Sequence, residues 1–88
     1  MEDSLQLRTA DLEWREVEGE IVALDLRTST YLAVNGTGLL LWKALVDGAT
    51  ETALREQLRK RHGLTAEQAA TDVRAFLDSL AEQDLLSG

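Results

Sequence analysis

Few side chains in this 88-residue chain could do covalent or acid–base chemistry. There is one histidine and no cysteine, so disulfides, thiolate metal sites and a cysteine nucleophile are all excluded. His62 closes the basic run Arg59-Lys60-Arg61, just before Gly63, where cations complement a helix C-terminus; a capping or exposed role accounts for it. No serine stands in a Gly-x-Ser-x-Gly elbow. Glu13, Glu16, Glu18 and Glu20 lie along an extended stretch beside Arg15 without a spacing that pairs an acid with a base, as expected of a solvated strand face. Gly36-Thr37-Gly38 falls between a strand and a helix, the context of a phosphate loop. A dinucleotide fingerprint would need a glycine where Leu41 stands, and a P-loop would need Gly-Lys-Ser/Thr. The residues therefore read as a non-enzyme without metal or cofactor.

Charge narrows the partners. Nine Lys/Arg against sixteen Asp/Glu leave a net charge of −7, which argues against a nucleic-acid binder that draws affinity from phosphate contacts. An acidic surface attracts basic peptide segments, or simply keeps a domain soluble; charge alone fits both. The opening MEDSLQLRT is unlike a secretory signal, and no apolar run approaches the ~20 residues that cross a bilayer. With no cysteine, the expectation is a soluble, cytoplasmic protein with no membrane partner, monomeric or weakly dimeric.

Eighty-eight residues make one domain, read as a flexible lead-in over 1–10 and a single domain over 11–88. LEWREV, a turn at Glu18-Gly19, and EIVALDL with Val22, Leu24 and Leu26 on one face predict two half-buried antiparallel strands. Arg27-Thr28-Ser29 makes a polar turn, and TYLAV is a third strand. Asn-Gly after TYLAV would ordinarily signal a hairpin, but LLLWKALV follows and is helical. Helix one is predicted over about Gly38 to Val46, capped by Asn35 or Thr37 and stopped at Gly48. Helix two opens on Thr50 and stops at Gly63. Helix three opens on a Thr65–Gln68 capping box and carries Ala69, Val73, Phe76, Leu77 and Leu80 on one stripe to about Gln83, with Leu85-Leu86 folding back on the core. The expected fold class is α+β: a three-stranded antiparallel β-meander followed by three helices, similar to a winged helix-turn-helix with its strands first.

That likeness raises DNA binding, which the last helix contradicts. From Ala66 to Asp84 it sets Glu67, Asp72, Asp78, Glu82 and Asp84 against Arg74 alone, a surface that repels phosphate. The third strand is an edge by default, and TYLAV carries none of the charges or prolines that guard edges. An extended peptide could add itself there. An edge covered by helix three, or by the same edge of a second copy, fits the residues equally well.

The run GEIVALDLRTSTYLAVNGTGLLLW, the spacer to DGAT, and DVRAFLDSLAEQDLL together resemble the PqqD-like family, over Trp14 to Leu86. The resemblance rests on Gly19-Glu20 before an apolar strand, Tyr31-x-x-x-Asn35 before Thr37-Gly38, Trp42 four residues on, and Asp72-Val73-x-x-Phe76-Leu77-x-x-Leu80. Val34-Asn35 departs mildly from a Leu-Asn pair common in the family. These are recognition elements for precursor peptides of ribosomally synthesised and post-translationally modified peptide (RiPP) pathways. The resemblance implies a non-catalytic protein that binds a precursor's leader peptide as an added strand on strand three, beside helix three. The chain resembles the stand-alone members of lasso-peptide pathways, whose partners are a cysteine leader peptidase and an ATP-dependent macrocyclase; the pyrroloquinoline quinone (PQQ) version serves a radical-SAM enzyme. Carried over, the binding residues are Ser29, Thr30, Tyr31, Leu32, Ala33 and Val34 on the strand and Asp72, Val73, Phe76 and Leu77 on the helix. Val73, Phe76 and Leu77 would be apolar sockets or core, with the core role favoured for Leu77 and Leu80, and Trp42 is assigned to core. Asp72 and Asp78 would meet leader cations. Either strand face, Tyr31 with Ala33 or Leu32 with Val34, could look into the groove.

Overall fold

The computed structural model describes residues 3–87. In chain order the elements are β1 (Gln6–Leu7), β2 (Leu12–Val17), β3 (Glu20–Asp25), β4 (Thr30–Val34), α1 (Thr37–Asp47), α2 (Glu51–His62), α3 (Ala66–Glu82) and β5 (Leu86–Ser87). β2, β3 and β4 form an antiparallel meander in that spatial order; α1 packs against β4, and α2 and α3 pack against α1 and each other. The class is α+β, as the sequence predicts.

Register follows from the first turn. Glu18 and Gly19 both have positive φ (51° and 79°), the backbone of a two-residue hairpin loop, and Val17 pairs with Glu20 across it. Ile21, Ala23 and Asp25 then point inward, while Val22, Leu24 and Leu26 share the outer face. The sequence groups the latter three on one face, and that face turns outward. Burial goes to the other set because Asp25, only 3% exposed, finds partners there. The Arg27 backbone N–H donates to Asp25 Oδ1 at 3.0 Å, and Arg8 Nη2 approaches Oδ2 at 3.5 Å. Arg27 also donates to Asp84 Oδ2 at 3.2 Å. That bond, with help from the Asp25 charge, raises the Arg27 pKa above its ordinary value. Asp25→Ala would leave these donors facing a buried gap. It is expected to cost about 2 kcal/mol, discounted for the partial exposure of both arginines, and to lower the urea midpoint.

The lead-in is not loose where it is described. Leu5 and Ala49 exchange two backbone hydrogen bonds of 2.8 Å, β1 pairs with β5, and Leu7 is buried. Two-residue strands are too short for alternation to reveal, so the sequence misses both. Met1, Glu2 and Gly88 lie outside the described residues. Leu85 is fully buried, as its predicted return to the core requires.

The helices follow their signals with one exception. Thr50 Oγ1 accepts from Ala53 N–H at 3.1 Å, and Thr65 and Gln68 form the reciprocal capping box. Gly63 ends α2 in the left-handed conformation. The N-cap of α1, however, is Gly36, at φ 61° and ψ −136°, and neither Asn35 nor Thr37 supplies a side-chain cap. The turn leaving β4 needs a backbone that glycine adopts readily, which displaces the expected cap.

Candidate functional site

Backbone parity decides what β4 exposes. A pair flanking a two-residue loop exchanges its hydrogen bonds, so Glu20, and with it Val22 and Leu24, turns its N–H and C=O toward β2. The bond from Leu26 N–H to Asp11 O continues that parity. Ile21, Ala23 and Asp25 must therefore pair toward β4, where they face Val34, Leu32 and Thr30. Tyr31 and Ala33 are left with N–H and C=O directed at the open side of the sheet. Among the described residues no strand lies on that side.

Beside this edge runs a groove of about 430 Å³ between β4, the start of α1 and one face of α3. Leu32 and Val34 turn their half-buried side chains to it, whereas Tyr31 stands 73% exposed on the outer face with Ala33. This orientation resolves the two faces left open by the sequence. The far wall is Asp72, Ala75, Phe76, Ser79 and Gln83, spaced by three or four so that they share one side of α3. Leu41, Trp42 and Leu80 close the bottom.

The expected site residues divide accordingly. Asp72 and Phe76 are half-buried in the wall. Val73 (0% exposed) and Leu77 (3%) belong to the core behind it and offer no socket, which corrects one of their two expected roles. Their positions point more steeply inward than Phe76 on the same helix. Asp78 lies outside the groove, exposed, with Arg74 Nη1 at 3.9 Å. Ser29 sits in the turn before β4 with φ 56°, and Thr30 borders a neighbouring polar hollow with Arg27, Gln83 and Asp84. Sequence reasoning missed Ala75, Ser79 and Gln83. Their spacing from Asp72 was the available signal, masked by the stronger apolar stripe next to it.

Gly38 sets the width of this site. A Cβ there would stand 2.9 Å from Val34 Cγ1 and 3.1 Å from Phe76 Cε1. Gly38→Ala is expected to push both side chains into the groove, at a cost of about 1–2 kcal/mol in stability. A lowered melting temperature checks this; an unchanged one would show that the wall yields freely.

The described residues contain no group of three or more His, Cys, Asp or Glu placed to hold a metal ion. No described helix is long and apolar enough to cross a membrane. The one cation of α3, Arg74, is engaged by Glu51 at 2.9 Å, so this helix presents a net acidic surface.

A family model described as coenzyme PQQ synthesis protein D (PqqD) matches residues 20–86. No curated protein sequence matches. Two solved structures share the fold. One is TbiB1 in complex with the TbiA(beta) leader peptide, with a TM-score of 0.85 and 24% identity over 94% of this chain and 95% of that one. The other is a lasso peptide synthetase B1 complexed with the leader peptide, with a TM-score of 0.83 and 23% identity over 98% of this chain and 100% of that one.

Proposed function

The chain belongs to the PqqD family, and from that premise we propose that it is a non-catalytic carrier that binds the leader region of a ribosomally made precursor peptide. The observation that carries this reading is the open edge of β4. Tyr31 and Ala33 offer two N–H and two C=O groups, directly beside a groove with an apolar floor. An added strand satisfies those groups, and its alternate side chains enter the groove. From Asp72 to Gln83 the wall is about 16 Å long at 1.5 Å per residue, room for roughly five residues of extended peptide.

Two proteins of the same fold are solved with leader peptides bound, which supports lasso-peptide biosynthesis as the pathway. The partners in that reading are a leader peptidase and an ATP-dependent macrocyclase. The carrier acts by holding the peptide at high effective concentration near the enzyme, in the cytoplasm. Service to a radical-SAM enzyme, in PQQ or another RiPP pathway, is the second reading, and it rests on the family match alone. Titration of a labelled synthetic leader peptide of a lasso-peptide precursor tests capture. Faster leader removal by the purified peptidase when the carrier is added tests delivery. A winged-helix DNA regulator is disfavoured by the acidic α3, and a low-salt gel shift with no retarded band is the expected result. A dimer joined through two β4 edges would dissociate on adding leader, which light scattering reads.

Asp72 has no ion pair among the described residues and stands at the lip of the groove. Asp72→Asn is expected to weaken binding of a leader with a nearby cation about threefold at low salt, the difference shrinking as salt rises. Equal affinity at all salt concentrations would remove this steering role.

A further inference from the structure

Trp42 is more than filler. Its side chain is 0% exposed and its indole Nε1–H has no acceptor among the described residues. Buried donors are nearly always paired, so an orphan requires an explanation. The nearest aromatic neighbour, Trp14, packs edge-to-face with ring centroids 6.0 Å apart at 73°. It offers a π-face and no oxygen lone pair, and such contacts are second-order.

The position of the orphan is informative. Trp42 helps to form the bottom of the groove. Helical side chains lean toward the preceding turn, which places this indole over the turn that holds Gly38. Gly38 is the residue whose missing side chain leaves room for Val34 and Phe76, and both of those are groove residues. The bare turn, the Trp42 ring and the apolar wall thus belong to one groove, and the unpaired donor lies on that ring.

We infer that Trp42 Nε1 is a binding donor, and that the peptide occupying the groove supplies its acceptor: a carbonyl, carboxamide or hydroxyl oxygen that reaches the groove floor. This rests on the leader-binding reading above and adds a chemical requirement to it. Apolar side chains alone leave the donor unpaired, so one residue entering the groove brings an oxygen, from its side chain or its backbone. Because the indole is closed off in the free protein, the wall shifts to admit that oxygen.

Two measurements with the full chain and the same synthetic leader peptide test this. In ¹⁵N-labelled protein the two indole N–H resonances are assigned with Trp14→Phe. Saturating leader is expected to move the Trp42 resonance downfield and slow its exchange with water. Trp42→Phe, which keeps an aromatic ring and removes the donor, is expected to weaken leader binding about fivefold, the worth of one neutral hydrogen bond. If wild-type protein binds leader while the Trp42 resonance stays in place, the inference is wrong and the carrier reading survives. If wild-type protein binds no leader at all, both fall.

Discussion

Ala33→Pro is expected to abolish leader capture while leaving the domain folded. The substitution removes an N–H that points away from β3 and puts a ring in the path of an incoming strand. Proline is tolerated on an edge strand when its missing donor faces solvent, so the β3–β4 ladder survives. Loss of one backbone bond together with the steric block should weaken binding more than tenfold. Leu32→Pro is the contrast. Its N–H points toward Ala23 on β3, so the same ring there breaks the sheet, and a cooperative melt should be lost. The pair separates the two sides of one strand. A folded Ala33→Pro that binds as wild type would mean that the peptide does not pair with β4.

Phe76→Ala is expected to give the second large effect, about thirtyfold weaker binding, typical of an aromatic anchor at the centre of an interface. Phe76 is half-buried and lies between Val34 across the groove and Asp72 one turn away. Truncation widens the groove and removes the surface against which an apolar leader side chain packs. Stability should fall less than affinity, because the core behind it is held by Val73 and Leu77, which are untouched. Isothermal titration alongside a thermal melt reads both. A variant that loses stability but keeps full affinity would assign Phe76 to the core alone.

How much of this was visible in the residues depended on the length of each pattern. α3 repeats its apolar positions over 17 residues and carries a capping box, so its existence, start and buried face are all legible. β3 carries apolar residues at both parities, Ile21 and Ala23 against Val22 and Leu24. Hydrophobicity could not choose its inner face, and the decision came from Asp25 meeting Arg8 and Arg27. Arg8 sits 17 residues away from Asp25, on a segment that looked like a tail.

The candidate site was half legible for the same reason. The unprotected edge of TYLAV is a property of one segment, so the sequence marks it as a candidate rail, and family resemblance chose capture over a covered edge. The groove is a property of three segments packed together. Its wall on α3 is a stripe rotated from the apolar one, which is why Phe76 and Asp72 line it while Val73 and Leu77 lie behind. Val17, Val22, Leu26 and Tyr31 are exposed on the outer side of the sheet, a placement that follows from register and not from their hydrophobicity.

The central claim is that the peptide completes the sheet at β4, and amide hydrogen exchange at single-residue resolution tests it most directly. In the free protein the Leu32 and Val34 amides should already be protected by β3, while those of Tyr31 and Ala33 exchange quickly. Saturating leader should slow Tyr31 and Ala33 strongly and leave Leu32 and Val34 little changed. Leader bound at saturation with Tyr31 and Ala33 still exchanging as in the free protein would contradict strand addition at this edge.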